Sequence, residues 1–140
     1  MFWIIYIFMW MNNMIKKLAL VEKVFLEYQE GVFLNVNCLV SYEDEDFGSQ
    51  NIMNIILDTF DKEKQRRVGT AEGMTFLIDL LDFFGVNNLT EVKNQYIYVL
   101  VDEDKSWYDN AQGIEHLTTN PNKQCGIKKI VYSDYFCEVD

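Results

Sequence analysis

The sequence contains little of what nucleophilic catalysis or structural metal binding requires. It has one histidine, His116, and three cysteines without CxxC spacing, Cys38, Cys125 and Cys137. A serine or cysteine mechanism would need His116 as its base, yet no nucleophile motif such as GxSxG is present. The odd cysteine count argues against a disulfide framework or a zinc knuckle and fits a reducing cytosol. We therefore expect a protein that is not an enzyme, with no catalytic residue, no cofactor and no metal.

Basic residues are also scarce. The chain has 12 Lys and Arg against 22 Asp and Glu, which gives a formal net charge of −10. This charge repels nucleic-acid backbones at long range, so direct DNA or RNA binding through a broad basic face is not expected. The same charge suits a partner protein with a basic surface, such as a nucleic-acid-handling enzyme whose cationic groove carboxylates would occupy.

No apolar run is long enough to cross a membrane. The opening MFWIIYIFMWM spans about 16 Å as a helix, whereas a membrane span needs about twenty residues. It is not a signal peptide, because Lys16 and Lys17 follow the apolar run instead of preceding it. Residues 1–14 form an apolar leader with three interpretations: an additional core or oligomer strand, a peripheral membrane anchor, or an extension upstream of a true start at Met11 or Met14.

The remaining residues, 15–140, have the composition of a single folded domain. Hydrophobic residues make up 49% of the chain and aromatic residues 15%, which is too apolar for disorder despite the charge. A chain of 140 residues is close to the usual size of one domain. The pattern along it predicts an α+β fold, in which an antiparallel sheet of four to six strands packs against one principal helix.

Alternating apolar and polar residues predict the strands. Leu18 to Tyr28 and Val32 to Val40 form a hairpin around the turn Gln29–Gly31. Ile52 to Leu57 predicts a third strand, and the run YIYVLV at Tyr96 to Val101 predicts a central fourth. Two further strands are expected, a short one at Gly113–Leu117 and an edge strand at Ile127–Tyr132 whose lysine pair discourages aggregation. The charged segment Asp58–Gln65 is expected to be turn-like and to begin with a helical turn.

The principal helix is predicted over about residues 70–84. Thr70 is a favourable N-cap, and Gly85 stands where a left-handed C-cap is expected. Helical spacing predicts a core-facing side made of Met74, Leu77, Ile78, Leu81 and Phe84. Glycine within a helix costs about 1 kcal/mol relative to alanine, so Gly73 indicates close packing of the helix against a strand. Leu89–Lys93 predicts one further helical turn.

The start of this helix is a candidate anion site. Free backbone N–H groups at a helix start attract phosphate or carboxylate, and Arg66, Arg67, Gly69 and Thr70 stand there. The stretch lacks the lysine and spacing of a P-loop, and no GxGxxG follows a strand. Glu72 also complements the helix dipole already. A capped helix with solvated arginines is the other interpretation.

Two acidic runs and an aromatic pair are candidates for contact with a partner. The runs are Glu43, Asp44, Glu45, Asp46 and Asp102, Glu103, Asp104, and the aromatic residues are Trp107 and Tyr108. The runs lack the alternating ligands and the glycine of a calcium loop, so we favour a solvated or protein-facing acidic surface over a metal site. The aromatic pair serves either as an interface anchor or as a cover folded back over the sheet.

The stretch RVGTAEGMTF, Arg67 to Phe76, resembles a helix start of the form RVGTAxGMxF in small bacteriophage and prophage proteins without an established activity. The likeness covers about Ile15 to Leu117, with two departures. A glycine-rich turn is represented only by Phe47, Gly48 and Ser49, and the tryptophan of a short turn is replaced by Leu89. The resemblance implies a phage origin, and it favours initiation near Met11 or Met14.

These observations lead to two functional hypotheses. The first is a non-enzymatic, phage-encoded protein of the host cytosol that binds and modulates a host protein through its acidic surface. An anti-defence, anti-CRISPR-like inhibitor would be one form of it. The alternative is a module that binds or sequesters a nucleotide or another anion at Arg66, Arg67, Gly69 and Thr70.

Overall fold

The structure, a computed structural model, describes residues 14–30, 32–43, 48–105, 110–117 and 126–136. Within these ranges, one long α-helix packs on a mostly antiparallel sheet, so the predicted α+β class is confirmed. Apart from Met14, the apolar leader lies outside the described residues.

The chain forms nine strands, one α-helix and two 3₁₀ turns within the described ranges. The helix α1 is Ala71–Phe84, and the 3₁₀ turns are Leu89–Glu91 and Tyr132–Asp134. The strands are β1 Met14–Gln29, β2 Phe33–Tyr42, β3 Gln50–Asn51, β4 Ile55–Ile56, β5 Asp58–Asp61, β6 Arg66–Gly69, β7 Gln95–Asp102, β8 Ala111–Glu115 and β9 Lys129–Val131.

Seven of these strands form the main sheet. Its order is β3-β2-β1-β7-β8-β9, with β4 also pairing with β2, and β5 and β6 form a separate hairpin. The predicted β1–β2 hairpin, the interior position of β7 and the edge position of β9 are all confirmed. The strand predicted at Gly113–Leu117 begins two residues earlier, at Ala111.

Side-chain alternation gives the sheet two distinct faces. Val24 lies opposite Cys38, Leu26 opposite Val36 and Tyr28 opposite Leu34, all on the face that α1 covers, here called the core face. Residues between them point to the other face, here called the outer face. The apolar core lies between the core face and the helix.

The predicted third strand is interrupted instead of continuous. β3 pairs with Leu39 and Val40, and β4 pairs with Asn35 and Val36. The edge strand has three residues between these two pairings, whereas β2 has only two, so the edge strand carries one extra residue. Ile52 and Met53, in the interruption, are 4% and 8% exposed. The apolar run at 52–57 is therefore only partly a strand, because the interruption turns two of its side chains into the core.

The turn predicted within Asp58–Gln65 is confirmed over residues 62–65, but the predicted helical start is wrong, because Asp58–Asp61 is strand β5. Asp58 to Gly69 forms the β5–β6 hairpin. The Asp61 carboxylate accepts hydrogen bonds from the N–H groups of Glu63, at 2.9 Å, and Lys64, at 3.2 Å. These bonds build the turn from charged residues, which is why composition suggested no strand.

The predicted caps of α1 are confirmed, but the predicted core-facing side is partly wrong. Gly85 has φ 67° and ψ 36°, the left-handed C-cap. Met74 and Ile78, expected inside, are 61% and 59% exposed, whereas Phe76, Leu80 and Phe83 are 0% exposed. The helix carries apolar residues around most of its circumference. The spacing of these residues therefore did not decide which side of the helix faces the sheet.

The segment after β9 covers α1 from one side. The ring of Phe76 has the rings of Tyr132, Tyr135 and Phe136 at centroid distances of 6.0, 5.3 and 5.5 Å. The Tyr132 hydroxyl donates to the Ile52 carbonyl at 2.8 Å, and the Tyr135 hydroxyl donates to Asp79. This side of the helix is thereby attached to both edges of the sheet.

Candidate functional site

The start of α1 is held by contacts within the chain. The Thr70 hydroxyl accepts a hydrogen bond from the Gly73 N–H at 2.9 Å and donates one to the Leu57 carbonyl at 3.0 Å. A Cβ on Gly73 would lie 2.9 Å from the Leu57 Cα, closer than side-chain atoms approach a backbone. The sequence interpretation of Gly73 as a close-packing residue agrees with this geometry.

Arg67 forms an ion pair with Asp58 inside the β5–β6 hairpin, and Asp58 in turn connects the hairpin to β2. The Arg67 Nη2 and Nε atoms lie 2.6 and 3.1 Å from the two Asp58 carboxylate oxygens. The Asp58 side chain, only 5% exposed, also accepts from the Leu34 N–H at 3.1 Å. The hydrogen bond from Arg67 is the main cause that lowers the pKa of Asp58 below its ordinary value. Arg67 is therefore occupied by a structural partner.

Arg66 and Gly69, the other two members of the predicted anion site, are exposed at opposite ends of β6. In the hairpin register Arg66 lies opposite Asp61, and Gly69 lies opposite Asp58. An anion at this helix start would have to use Arg66 and backbone N–H groups, since Arg67 and the Thr70 hydroxyl already have partners. The anion hypothesis stays a prediction.

The topology brings Glu43, the first residue of one acidic run, and the run Asp102–Asp104 to the same end of the sheet. β2 and β7 flank β1, both run antiparallel to it, and both therefore end on the side where β1 begins. Glu43 follows β2 directly, Asp102 ends β7, and Glu103 and Asp104 come next. Glu43, Glu103 and Asp104 are exposed, and the Asp102 carboxylate accepts from the Asp104 N–H at 3.0 Å. We call these four residues the acidic end.

The other predicted members of this surface lie outside the described residues. They are Asp44, Glu45, Asp46, Trp107 and Tyr108. Residues that border them on both sides nevertheless share one cavity of about 290 Å³. It is lined by Tyr42, Ser49, Gln50, Asn51, Ile52, Asn110 and Ala111. Ser49, shortly before β3, and Asn110, just before β8, thus lie at the same cavity.

The cavity lining is neutral, and much of its polar surface already has partners. The Ser49 hydroxyl donates to the Glu22 carboxylate. The Asn51 Oδ1 atom accepts from the N–H groups of Cys38, at 3.2 Å, and Met53, at 3.1 Å. Its Nδ2 group donates to Asn37 at 2.7 Å. The geometry favours a structural role for this end of the cavity.

Sequence reasoning missed the asparagines that surround the interruption between β3 and β4. Asn35 and Asn37, both on the outer face, are only 4% and 3% exposed. The Asn35 side chain donates to Asn54, which has the left-handed φ of 53°. The sequence did contain a signal for this network. Asparagine is depleted in strands, yet four asparagines lie in or next to the predicted second and third strands: Asn35, Asn37, Asn51 and Asn54.

His116 lies just beyond β8 and packs against the end of α1. The residue is 8% exposed, and its ring is stacked on Phe83 with centroids 4.0 Å apart. Its Nε2 atom contacts the Phe83 carbonyl oxygen, one of the last carbonyls of the helix. This position gives His116 a structural role at the helix end.

Cys38 and the acidic side chains were the remaining candidates for chemistry. Burial raises the pKa of the Cys38 thiol to about 12, so this thiol is protonated at neutral pH and is a poor nucleophile. Among the described residues, no group of three or more His, Cys, Asp or Glu side chains is arranged to hold a metal ion.

No helix in the described part of the chain is long and apolar enough to span a membrane. Comparisons of the whole chain with family models, curated proteins and solved structures found no match. The functional conclusions below are therefore drawn from the geometry and charge of this molecule.

Proposed function

We propose that the protein is a non-enzymatic interaction protein that acts in the host cytosol and binds a host protein with a basic surface. The observation that carries the proposal is that β2 and β7, followed by Glu43 and by Glu103 and Asp104, end on the same side of the sheet although they are distant in sequence. The partner is modulated by occupation of its cationic surface. A phage-encoded inhibitor of a defence enzyme is one function of this kind.

The exposure of the acidic end supports the proposal. Glu43, Glu103 and Asp104 are exposed, and no ion pair between described residues involves them. The described ion pairs lie elsewhere, between Lys16 and Glu115 and between Arg67 and Asp58. Carboxylates at this end are thus accessible to a partner, while the net charge of −10 steers a cationic surface towards the molecule.

The proposal predicts a specific dependence on three carboxylates. A variant with Glu43→Gln, Glu103→Gln and Asp104→Asn removes three negative charges from the acidic end. The matched control, with Glu63→Gln, Glu91→Gln and Asp134→Asn, removes three charges from other exposed positions. Both variants change net charge equally, so a difference between them reports where the charge lies.

The measurement is affinity capture from host lysate at low salt, followed by titration of the captured protein against each variant. We expect the acidic-end variant to bind at least about tenfold more weakly than the control, which corresponds to about 1.4 kcal/mol. Wild-type binding should also weaken as salt rises, because exposed charge pairs are screened. Capture of no specific protein, or equal binding by the two variants, would contradict the proposal.

A further inference from the structure

A second apolar side of α1 faces away from the sheet. Met74 and Ile78 are 61% and 59% exposed, and Leu81 is half-buried. Residues that are four and then three positions apart lie within about 60° of one another around a helix, so these three side chains form one line. We call this line the exposed seam.

The exposed seam is distinct from the side of α1 that packs on the sheet. Phe76, Leu80 and Phe83 belong to the core and lie on the opposite side of the helix. Leu77, between the two sides, packs against the core, whereas Leu81 is not among the described residues that do so. Single exposed apolar residues are normal, but a continuous line of them indicates an interaction site.

The spacing of the seam is that of a coiled coil. Ala71, Met74, Ile78 and Leu81 follow one another at intervals of three, four and three residues. These intervals are those of the a and d positions of a heptad, whose side chains pack into the spaces of a facing helix. Because the backbone of α1 is hydrogen-bonded within the helix, an occupant of the seam has to bind through side-chain packing. The intervals therefore indicate another helix as the occupant.

The charge beside the seam selects the chemistry of that helix. α1 contains Glu72, Asp79 and Asp82 and no basic residue, which gives it a formal charge of −3. All three acidic residues lie on the same side of the seam. The segment 127–136, which packs beside them, carries a formal charge of only +1. This side of the molecule is therefore acidic and fits a basic partner.

We propose that the exposed seam binds an amphipathic helix of a partner protein. The apolar side of that helix packs on Met74, Ile78 and Leu81, and its basic residues lie next to Asp79 and Asp82. A second copy of this chain fits less well, because it would bring a net charge of −10 and the same acidic helix. The proposal does not rest on the function proposed above, since no residue of the acidic end takes part.

The test uses two labelled peptides and the full chain. The first peptide is about three heptads long, with leucine at the a and d positions and lysine elsewhere. The second has glutamate in place of lysine and the same apolar side. We expect fluorescence anisotropy to show that the lysine peptide binds at least about tenfold more tightly, because opposite charges meet beside the seam. This difference should shrink as salt rises.

Substitutions in the seam show where the peptide binds. Met74→Gln combined with Ile78→Gln removes two apolar contacts but keeps good helix formers, so it should raise the dissociation constant of the lysine peptide at least about tenfold. Ile56→Gln combined with Tyr96→Gln is the matched control and should change it by less than about twofold. Ile56 and Tyr96 are also exposed, at 49% and 45%, but they lie on the outer face of the sheet, away from α1.

Each outcome decides the proposal. Tighter binding of the lysine peptide that is lost in the seam variant and kept in the control supports it. Absence of binding to the full chain, equal binding of both peptides, or equal loss in the seam variant and the control would overturn it.

Two other occupants of the seam or sites for the peptide would be recognised in the same experiments. Loss of peptide binding only in the variant with Glu43→Gln, Glu103→Gln and Asp104→Asn would place the peptide at the acidic end and overturn the seam as its site. Sedimentation that shows a dimer of the wild type but not of the seam variant would assign the seam to a second copy, which also overturns the proposal. Far-ultraviolet circular dichroism checks that the seam variant folds, as expected for substitutions at exposed positions.

Discussion

Replacement of Asn51 tests whether its side-chain amide takes the place of backbone hydrogen bonds to β2 where the edge strand is interrupted. Between β3 and β4 the backbone of the edge strand leaves β2, and the Asn51 Oδ1 atom accepts the Cys38 N–H in place of a strand carbonyl. The same oxygen accepts from the Met53 N–H, and the amide donates to Asn37. Asn51→Ala removes all three bonds.

The expected cost follows from the burial of the groups left behind. Cys38 is 0% exposed and Asn37 is 3% exposed, so their polar groups cannot reach water easily. A buried group that loses its partner costs about 1–3 kcal/mol. We expect Asn51→Ala to lower the free energy of unfolding by about 2–3 kcal/mol, near the upper part of that range because more than one group is affected.

Urea unfolding of Asn51→Ala, Asn51→Asp and Asn87→Ala measures this effect. Asn51→Asp keeps the acceptor oxygen for the two N–H groups, so it should cost less than Asn51→Ala. Asn87, an exposed asparagine in the turn after α1, is the matched control and should change stability by less than about 0.5 kcal/mol. A loss for Asn51→Ala as small as that of the control would refute the reasoning.

Two further predictions concern the helix start and its ion pair. Gly73→Ala should destabilise the protein by about 1 kcal/mol or more, because overpacking against the Leu57 backbone outweighs the gain in helix propensity. Thermal unfolding checks this, with Thr75→Ala on the exposed side of α1 as the control, which should not destabilise. Asp58 has a pKa lowered from 3.8 by Arg67, so its ion pair stabilises the folded state above about pH 4 and this stabilisation disappears as pH falls through the folded-state pKa. The stability difference between wild type and Asp58→Asn, measured by urea unfolding at several pH values, should therefore shrink below pH 4, and a constant difference would contradict this role.

Local signals in the sequence were sufficient for elements whose ends depend on neighbouring residues. Thr70 and Gly85 delimit α1 through a side-chain cap and a left-handed backbone, both of which act within one helical turn. The alternation in β1 and β2 and the apolar run in β7 also predicted their elements correctly. These patterns follow from the geometry of a single helix or strand.

Elements that depend on distant partners were not predictable in this way. The β5–β6 hairpin is built from charged residues, and it is held by the Asp61 turn and the ion pair between Arg67 and Asp58. The side of α1 that faces the sheet was predicted only in part, because apolar residues surround the helix. Contact between Gly73 and the Leu57 backbone fixes the rotation of the helix about its axis, so that Met74 and Ile78 face outwards.

In the candidate site, too, some features follow from neighbouring residues and others from contacts between distant segments. Composition identified the acidic runs as the chemically distinctive feature, and the sequence by itself determined their charge. Only the tertiary structure decided that Glu43 and Glu103 leave from the same end of the sheet, because that depends on β2 and β7 flanking β1 in the same direction. The tertiary structure likewise decided that β7 pairs with β1 only from Met14 to Val21. Charge, caps and alternation belong to neighbouring residues, whereas strand order, register and helix rotation are set by packing between segments far apart in the chain.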